Sequence, residues 1–396
     1  MYKNIKKTII SALLALVALT GQSQVKCHIE GELNDTTKGK TVIICRCDVD
    51  IQISDYYITT KADNQGRFSC DVEDKGMYLY EVFLKEEWEE GAWHTGKFLV
   101  ENGATIRLRF DDEEWKILSG GPEQMLKVNM DKEAERLYQA KMRDLSKQED
   151  EIRSRMEEMR VQGKNPQEDT LLMKRYQEIV EQDETIFYER KVWEQAYYAA
   201  HPMLYALYAI AYQMQFRKSE LTAEMPELYH KVYENFHPEN PIHNTIRTLE
   251  SAWLLQPGKP YIDFEARTQG GEKVQVSSYY KGKVALIDLW ASWCGPCRRH
   301  SIAMIPVYEK YKDHGFTVIG IARENDVSLM TEAAQKDGYP WQSLIDVKDE
   351  LKVWQKNGLS FAGGGMYLID RNGIILSTST DADELEPLIK KALGFE

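Results

Sequence analysis

The feature that most constrains this chain is the sequence Cys-Gly-Pro-Cys, from Cys294 to Cys297, which is separated by three residues from the largely apolar run Val284–Trp290 before it. A short, largely apolar run is typical of a strand that is buried on both faces. Proline is favoured in the first turn of a helix, because the N–H that it lacks would be unpaired there anyway. The sequence therefore predicts a buried strand, a turn, and a helix that begins at the two cysteines.

This arrangement favours redox chemistry. The amide groups and the dipole at a helix N-terminus stabilise a thiolate, so the pKa of Cys294 should be lowered. Cys297 follows one helical turn later, close enough to form a disulfide. A structural disulfide, half of a zinc site and two buried thiols are the alternatives, but zinc needs further ligands. We interpret the pair as a redox-active dithiol and predict neither a metal nor another cofactor.

The surrounding sequence alternates strands and helices after a linker at 256–260. Asn372-Gly373 indicates a hairpin near the end of the chain. We predict an α/β domain over residues 256–396, with helices covering a central sheet. Its expected elements are strands at 284–290, 316–321, 366–370 and 374–377, and helices at 294–311, 327–337 and 385–393.

Two regions of different composition precede this domain. Residues 24–118 contain short β-branched and aromatic runs separated by turn residues, and Thr105–Phe110 alternates polar with apolar residues, which predicts a small β-sandwich. Residues 119–255 are helical, with long helices expected at 123–162 and 168–200. The apolar spacing of the first is only loosely heptad, so we favour a helical hairpin packed on a neighbour over a coiled coil.

The N-terminus has the pattern of an export signal over residues 1–23. Three lysines are followed by the apolar run Ile9–Leu19 and by the small residues Gly21 and Ser23. The run is short for a membrane helix, although an uncleaved anchor is the alternative. We therefore expect the mature protein in the periplasm or cell envelope, without membrane association. Its net charge of −13 argues against nucleic acid as a partner.

Four further cysteines lie in the β-rich region, at Cys27, Cys45, Cys47 and Cys70. Cys45 and Cys47 are two residues apart in an expected strand, so both should face one side. They could pair with Cys27 or Cys70, or all four could be buried apolar residues. A metal site that includes His28 is a weaker alternative.

The C-terminal region resembles the thioredoxin superfamily, in the branch of secreted bacterial thiol-disulfide oxidoreductases similar to TlpA and ResA. The resemblance covers residues 258–396 and rests on Gly282–Val284, Asp288–Trp293 and Tyr367–Asp370 around the cysteine motif. More weakly, the β-rich region resembles the DUF4369-like domain that precedes such thioredoxin domains in envelope proteins of Bacteroides-type bacteria.

The resemblance implies roles for three residues. Cys294 would be the attacking thiolate and Cys297 the resolving thiol. Asp288 would be a buried carboxylate whose raised pKa suits it to take the proton from Cys297. A strand-end carboxylate paired with a lysine is the alternative for Asp288. Trp290 and Trp293 would flank the site or belong to the core.

The resemblance also implies the residues that contact substrate, and this chain departs from the family pattern near them. His300 and Ile302 replace a Glu and a Pro, and a glycine replaces the usual cis-proline. We expect the glycine loop to have a trans peptide bond, to be looser, and to leave more room beside Cys294. The implied substrate contacts are Trp293, Gly295, Pro296, Gly363 and Gly364.

The resemblance implies that oxidised envelope proteins are the substrates and that a membrane thiol reductant supplies the electrons. Reduction is favoured over isomerisation. A thiol peroxidase would share the fold, but its Pro/Thr-rich cysteine loop is not found in the sequence. A binding module with a vestigial dithiol is the non-enzymatic alternative.

Overall fold

The computed structural model describes residues 24–53, 57–91, 93–215, 224–359 and 363–395. The predicted export segment, 1–23, lies outside these residues. The chain forms two compact units, and neither is continuous in sequence. Of the described residues, the first unit contains those in 24–46, 58–208 and 227–240, and the second contains those in 47–57, 209–226 and 241–395.

The first unit contains two four-stranded sheets. Apolar side chains from both sheets, such as Ile29 and Val42, form one core, which confirms the predicted sandwich. One sheet has the order β4-β1-β7-β8 and the other β3-β2-β5-β6. The strands are β1 Val25–Leu33, β2 Thr41–Arg46, β3 Tyr57–Lys61, β4 Arg67–Asp74, β5 Leu79–Leu84, β6 Gly96–Leu99, β7 Thr105–Asp111 and β8 Glu114–Ser119, with the short helix α1 at Lys85–Glu89 after β5.

Helices follow the sandwich. The two long ones are α2 (Pro122–Val161) and α3 (Thr170–Ala200), and Ile152 of α2 and Ile179 of α3 belong to one buried cluster. This contact confirms a helical hairpin. The next helices are α4 Leu204–Met214, α5 Met225–Leu228, a π-helical turn at Tyr229–Tyr233, and α6 Ile242–Trp253.

A seven-stranded sheet forms the centre of the second unit, in the order β10-β9-β13-β12-β11-β14-β15. Its strands are β9 Glu265–Arg267, β10 Lys273–Gln275, β11 Val284–Trp290, β12 Phe316–Glu324, β13 Ser343–Val347, β14 Gly365–Ile369 and β15 Ile375–Ser377. The helices are α7 Ser277–Tyr280, α8 Gly295–Tyr311, α9 Val327–Asp337, α10 Val353–Lys356 and α11 Ala382–Leu393. This is the predicted α/β layout with helices around a central sheet.

Strand β11 carries the site and is central to the sheet. All seven of its residues are buried. It pairs in parallel with β12 and antiparallel with β14, so that Leu289 lies opposite Gly365. Buried apolar clusters include residues from alternate positions of β11, such as Ile287 in one and Leu286 in the other. The largely apolar sequence of β11 therefore reflects a strand covered on both faces.

The two units divide the chain differently from the three ranges expected from sequence. Residues 47–57 belong to the second unit, where Asp50 Oδ2 lies 2.8 Å from Nη1 of the fully buried Arg323. The Asn325 side chain also donates a hydrogen bond of 2.8 Å to the carbonyl oxygen of Gln52. Such contacts join residues that are 273 positions apart, so no local pattern reveals them.

The end of β2 corrects one expectation about the sandwich cysteines. Strand β2 ends at Arg46, so Cys47 lies in a turn and does not share a strand face with Cys45.

Among the described residues, none of the helices is both long enough and apolar enough to span a lipid bilayer.

Candidate redox site

Cys294 and Cys297 are joined by a disulfide at the start of α8, with their Cα atoms 5.3 Å apart. Cys294 is the N-cap residue, and its sulfur accepts a hydrogen bond of 3.3 Å from the N–H of Cys297. The two residues are 6% and 7% exposed. Cys297 is therefore no more buried than Cys294, although it lies one helical turn further along the chain. Gly295 and Pro296, between them, are exposed.

The turn before the pair is held from two sides. The backbone N–H of Ser292 donates to the carboxylate of Glu324, which is fully buried at the end of β12. Burial raises the pKa of Glu324. On the other side, Arg298 Nη1 donates to the carbonyl oxygen of Ser292 at 3.2 Å, and the same guanidinium forms an ion pair of 2.6 Å with Asp337. Cys294 thus follows a rigid turn.

Asp288 lies in the middle of β11 and is 1% exposed. Its Oδ2 accepts a hydrogen bond of 2.6 Å from the hydroxyl of Ser301. Burial raises the pKa of Asp288 to about 7, and the Ser301 hydrogen bond opposes that rise. Asp288 thus lies within its strand and is paired with Ser301 of α8, which contradicts the alternative of a strand-end carboxylate paired with lysine.

Ser301 also links the carboxyl group to the cysteine pair. Its hydroxyl lies 3.0 Å from the carbonyl oxygen of Cys297, and its one proton can serve either acceptor. A protonated Asp288 could donate a hydrogen bond to Ser301. The serine hydroxyl would then donate its own proton to the carbonyl oxygen of Cys297. Sequence reasoning missed Ser301. The available signal was its position, four residues after Cys297 and therefore on the same face of the helix.

The two tryptophans before the pair have different environments. Trp290 is fully buried, with its ring 5.0 Å from that of Tyr339, and it belongs to the core. Trp293 is 38% exposed, and its ring lies 5.7 Å from that of Trp354. Only Trp293 therefore presents an aromatic surface beside Cys294.

The glycine loop lies directly against the pair. The backbone N–H of Gly364 donates a hydrogen bond of 3.2 Å to the sulfur of Cys297. A Cβ atom on Gly364 would stand 1.8 Å from the carbonyl oxygen of Leu289, whereas one on Gly363 would meet nothing within 4 Å. All peptide bonds of the described residues are trans, as expected for this loop. The backbone of Gly364 thus contacts the Cys297 side of the disulfide, whereas a looser loop with more room beside Cys294 stays a prediction.

Among the described residues, the four cysteines of the β-rich region are in the thiol form and join no disulfide. In the part of the chain that the structure describes, no cluster of three or more His, Cys, Asp or Glu residues could hold a metal ion. His28, considered above as a ligand, instead places Nδ1 2.7 Å from a carboxylate oxygen of Asp71.

Comparison with known proteins places this site in a family. Residues 257–378 match the AhpC/TSA family. The thioredoxin-like protein YneN of Bacillus subtilis (strain 168) is 39% identical over 126 residues, which are 31% of this chain and 69% of that protein. The thiol-disulfide oxidoreductase ResA of Bacillus thuringiensis (strain Al Hakam) is 32% identical over 141 residues, 35% of this chain and 79% of ResA.

A third relative is the thiol:disulfide interchange protein DsbE of Pseudomonas fluorescens biotype C. It is 29% identical over 118 residues, and the chain spans 63% of its length. The fold and the cysteine pair define an oxidoreductase domain of the thioredoxin type. The chain belongs to the thioredoxin-like thiol-disulfide oxidoreductases represented by YneN and ResA, through its C-terminal third.

Proposed function

We propose that this protein reduces disulfides of cell-envelope proteins with the Cys294/Cys297 dithiol. The observation that carries the proposal is the position of Cys294 as the N-cap of α8, where its sulfur accepts the N–H of Cys297. Such a position favours the thiolate, which is the nucleophile in thiol-disulfide exchange.

The reaction has two exchange steps. The Cys294 thiolate attacks a substrate disulfide, forms a mixed disulfide and releases one substrate sulfur as a thiolate. Cys297 then attacks the sulfur of Cys294 and releases the second substrate sulfur. The substrate disulfide gains two electrons, and the protein pair becomes a disulfide. A thiol reductant at the membrane would return the pair to the dithiol.

Asp288 is the proposed base for the second step. Its pKa of about 7 leaves the carboxyl group partly ionised near neutral pH, where it can accept the proton of Cys297. Ser301 would hold the carboxylate in position, because its hydroxyl donates a hydrogen bond of 2.6 Å to Asp288 and lies 3.0 Å from the backbone carbonyl oxygen of Cys297.

The envelope location is proposed from the export pattern of residues 1–23, and it determines the partners. Disulfides persist outside the cytosol, so substrates for a reductase are present there. The same environment oxidises an unprotected dithiol. A dedicated electron donor is therefore part of the proposal.

Trapping of substrates tests the proposal. A Cys297→Ser variant, expressed with its N-terminal segment, should accumulate mixed disulfides between Cys294 and envelope proteins. The matched controls are Cys294→Ser and the double variant, which should trap nothing. Absence of trapped proteins together with rapid oxidation of the reduced dithiol by one equivalent of hydrogen peroxide would instead support a peroxidase.

A further inference from the structure

The backbone of Gly364 approaches Cys297 more closely than another residue would allow. A Cβ atom at this position would stand 1.8 Å from the carbonyl oxygen of Leu289 and 3.1 Å from the sulfur of Cys297. Leu289 belongs to the strand that leads into the cysteine motif, and Gly365 is its partner in β14. The glycine therefore permits the loop to lie against both the strand and the disulfide.

This approach brings a hydrogen-bond donor to the second sulfur. Each sulfur of the pair receives one backbone N–H: Cys294 receives that of Cys297 at 3.3 Å, and Cys297 receives that of Gly364 at 3.2 Å. The first donor belongs to the helix that carries the pair. The second belongs to a separate loop before β14, and a proline at that position could not supply it.

We propose that the Gly364 amide activates Cys297 by stabilising its thiolate. A hydrogen bond to the charged form of a group favours that form. The use of this activation in substrate release rests on the function proposed above. The Gly364 amide would thus stabilise the thiolate of Cys297, as the helix N-terminus would stabilise that of Cys294.

The amide would act during the second exchange step. In the mixed disulfide, Cys297 loses its proton to Asp288, and the thiolate accepts the Gly364 N–H. The thiolate then attacks Cys294, so that the Cys294–Cys297 bond forms and the bond between Cys294 and the substrate sulfur breaks. The substrate leaves with the electron pair as a thiolate, and the number of electrons is conserved.

The charged groups on neighbouring elements do not provide this stabilisation. Asp288 of β11 is hydrogen-bonded to Ser301, which lies against the backbone carbonyl oxygen of Cys297, and as a carboxylate Asp288 disfavours a second negative charge nearby. Glu324 of β12 holds the N–H of Ser292. Arg298 of α8 is paired with Asp337 of α9 at 2.6 Å. Among the described residues, the neutral amide of Gly364 is the donor recorded at the Cys297 sulfur.

The test measures the ionisation of Cys297 without any substrate. In a Cys294→Ser background, thiolate absorbance and alkylation rate are followed against pH. Gly364→Ala should displace the amide and raise the Cys297 pKa by about one unit, which is a tenfold smaller thiolate fraction below the pKa. Gly363→Ala is the matched control, because a Cβ there meets nothing, and it should leave the pKa unchanged.

Backbone NMR of the same Cys294→Ser protein, with its loop intact, provides a second measurement in case the alanine disturbs folding. The Gly364 amide proton should move downfield as Cys297 ionises, with the same midpoint as the thiolate absorbance. The Gly363 amide should move much less. Equal responses of the two amides, or equal Cys297 pKa values in the two alanine variants, would overturn the inference.

These outcomes are separable from the proposed function. If the wild-type protein failed to reduce disulfides while Gly364→Ala still raised the Cys297 pKa, the function would be wrong and the inference would stand. If the wild-type protein reduced disulfides normally while Gly364→Ala left the Cys297 pKa unchanged, the inference would be wrong and the function would stand.

Discussion

Buried cysteines occur in both units of this protein, and their surroundings differ. Cys27 in the sandwich is 3% exposed, and Cys294 in the α/β unit is 6% exposed. Burial raises the pKa of Cys27 despite backbone hydrogen bonds that lower it, and it raises that of Cys70 to about 11. Cys294 instead occupies the N-cap of a helix of 17 residues. Similar burial is therefore expected to give an inert thiol on a strand and a reactive one at a helix start.

The difference follows from whether the backbone N–H groups near each cysteine already have hydrogen-bond partners within their own element. Strand β4 pairs antiparallel with β1, and Cys70 lies opposite Ile29 in that ladder. A strand ladder satisfies its own amides and has little net dipole. The first N–H groups of a helix have no partner within the helix. Chemistry that needs a thiolate is therefore expected at the start of α8 and not in the sandwich.

The largest expected effect is the loss of disulfide reduction on removal of Cys294. Cys294→Ser should lower the rate by roughly 10³-fold or more, since the nucleophile is lost. Cys70→Ser, at a cysteine of the sandwich, should leave the rate unchanged. Both rates can be measured with an oxidised peptide and chemically reduced protein. A comparable loss in the Cys70 variant would break the contrast between the units.

Asp288→Asn should slow resolution of the mixed disulfide by about 10²-fold, because a general base is lost. The wild-type resolution rate should rise with pH through about 7, as the carboxyl group ionises, and then level off. The variant should lack this rise. Rapid quenching of a preformed mixed disulfide measures both profiles. Unchanged profiles would leave Asp288 as a structural residue only.

Ser301→Ala should have a smaller effect, confined to lower pH. The Ser301 hydrogen bond lowers the pKa of Asp288, so its removal should shift the midpoint of resolution upward by about one pH unit. The rate should fall up to about tenfold below that midpoint and recover at high pH. In the Asp288→Asn background the same substitution should change nothing further. An equal loss at every pH would mean that Ser301 acts through packing.

The sequence predicted the parts of this site that depend on neighbouring residues. The apolar run of β11, the proline at 296 and the cysteine spacing sufficed to place a strand, a turn and a helix. The helix α9 was predicted at its observed limits, 327–337. The strands β9, β10 and β13 were not predicted, since the first two have three residues each and β13 was not recognised as an apolar strand.

Contacts between distant segments could not be predicted. The Gly364 amide reaches Cys297 because β14 pairs with β11, and Glu324 reaches Ser292 because β12 pairs with the other edge of β11. The sequence showed only that a glycine replaces the expected proline. Conformational freedom was inferred from that replacement, whereas the structure shows a close backbone approach. The likeness of residues 24–118 to a DUF4369-like domain stays a prediction.

The most direct test of the account is the alkylation of all six cysteines in the reduced, folded protein, followed by mass spectrometry as a function of pH. Cys294 should react first, with a midpoint clearly below the ordinary thiol pKa of about 8.5. Cys27 and Cys70 should react only at much higher pH or after unfolding. If Cys294 reacted no faster than Cys70, the helix start would not create the reactive thiol, and the central claim would fail.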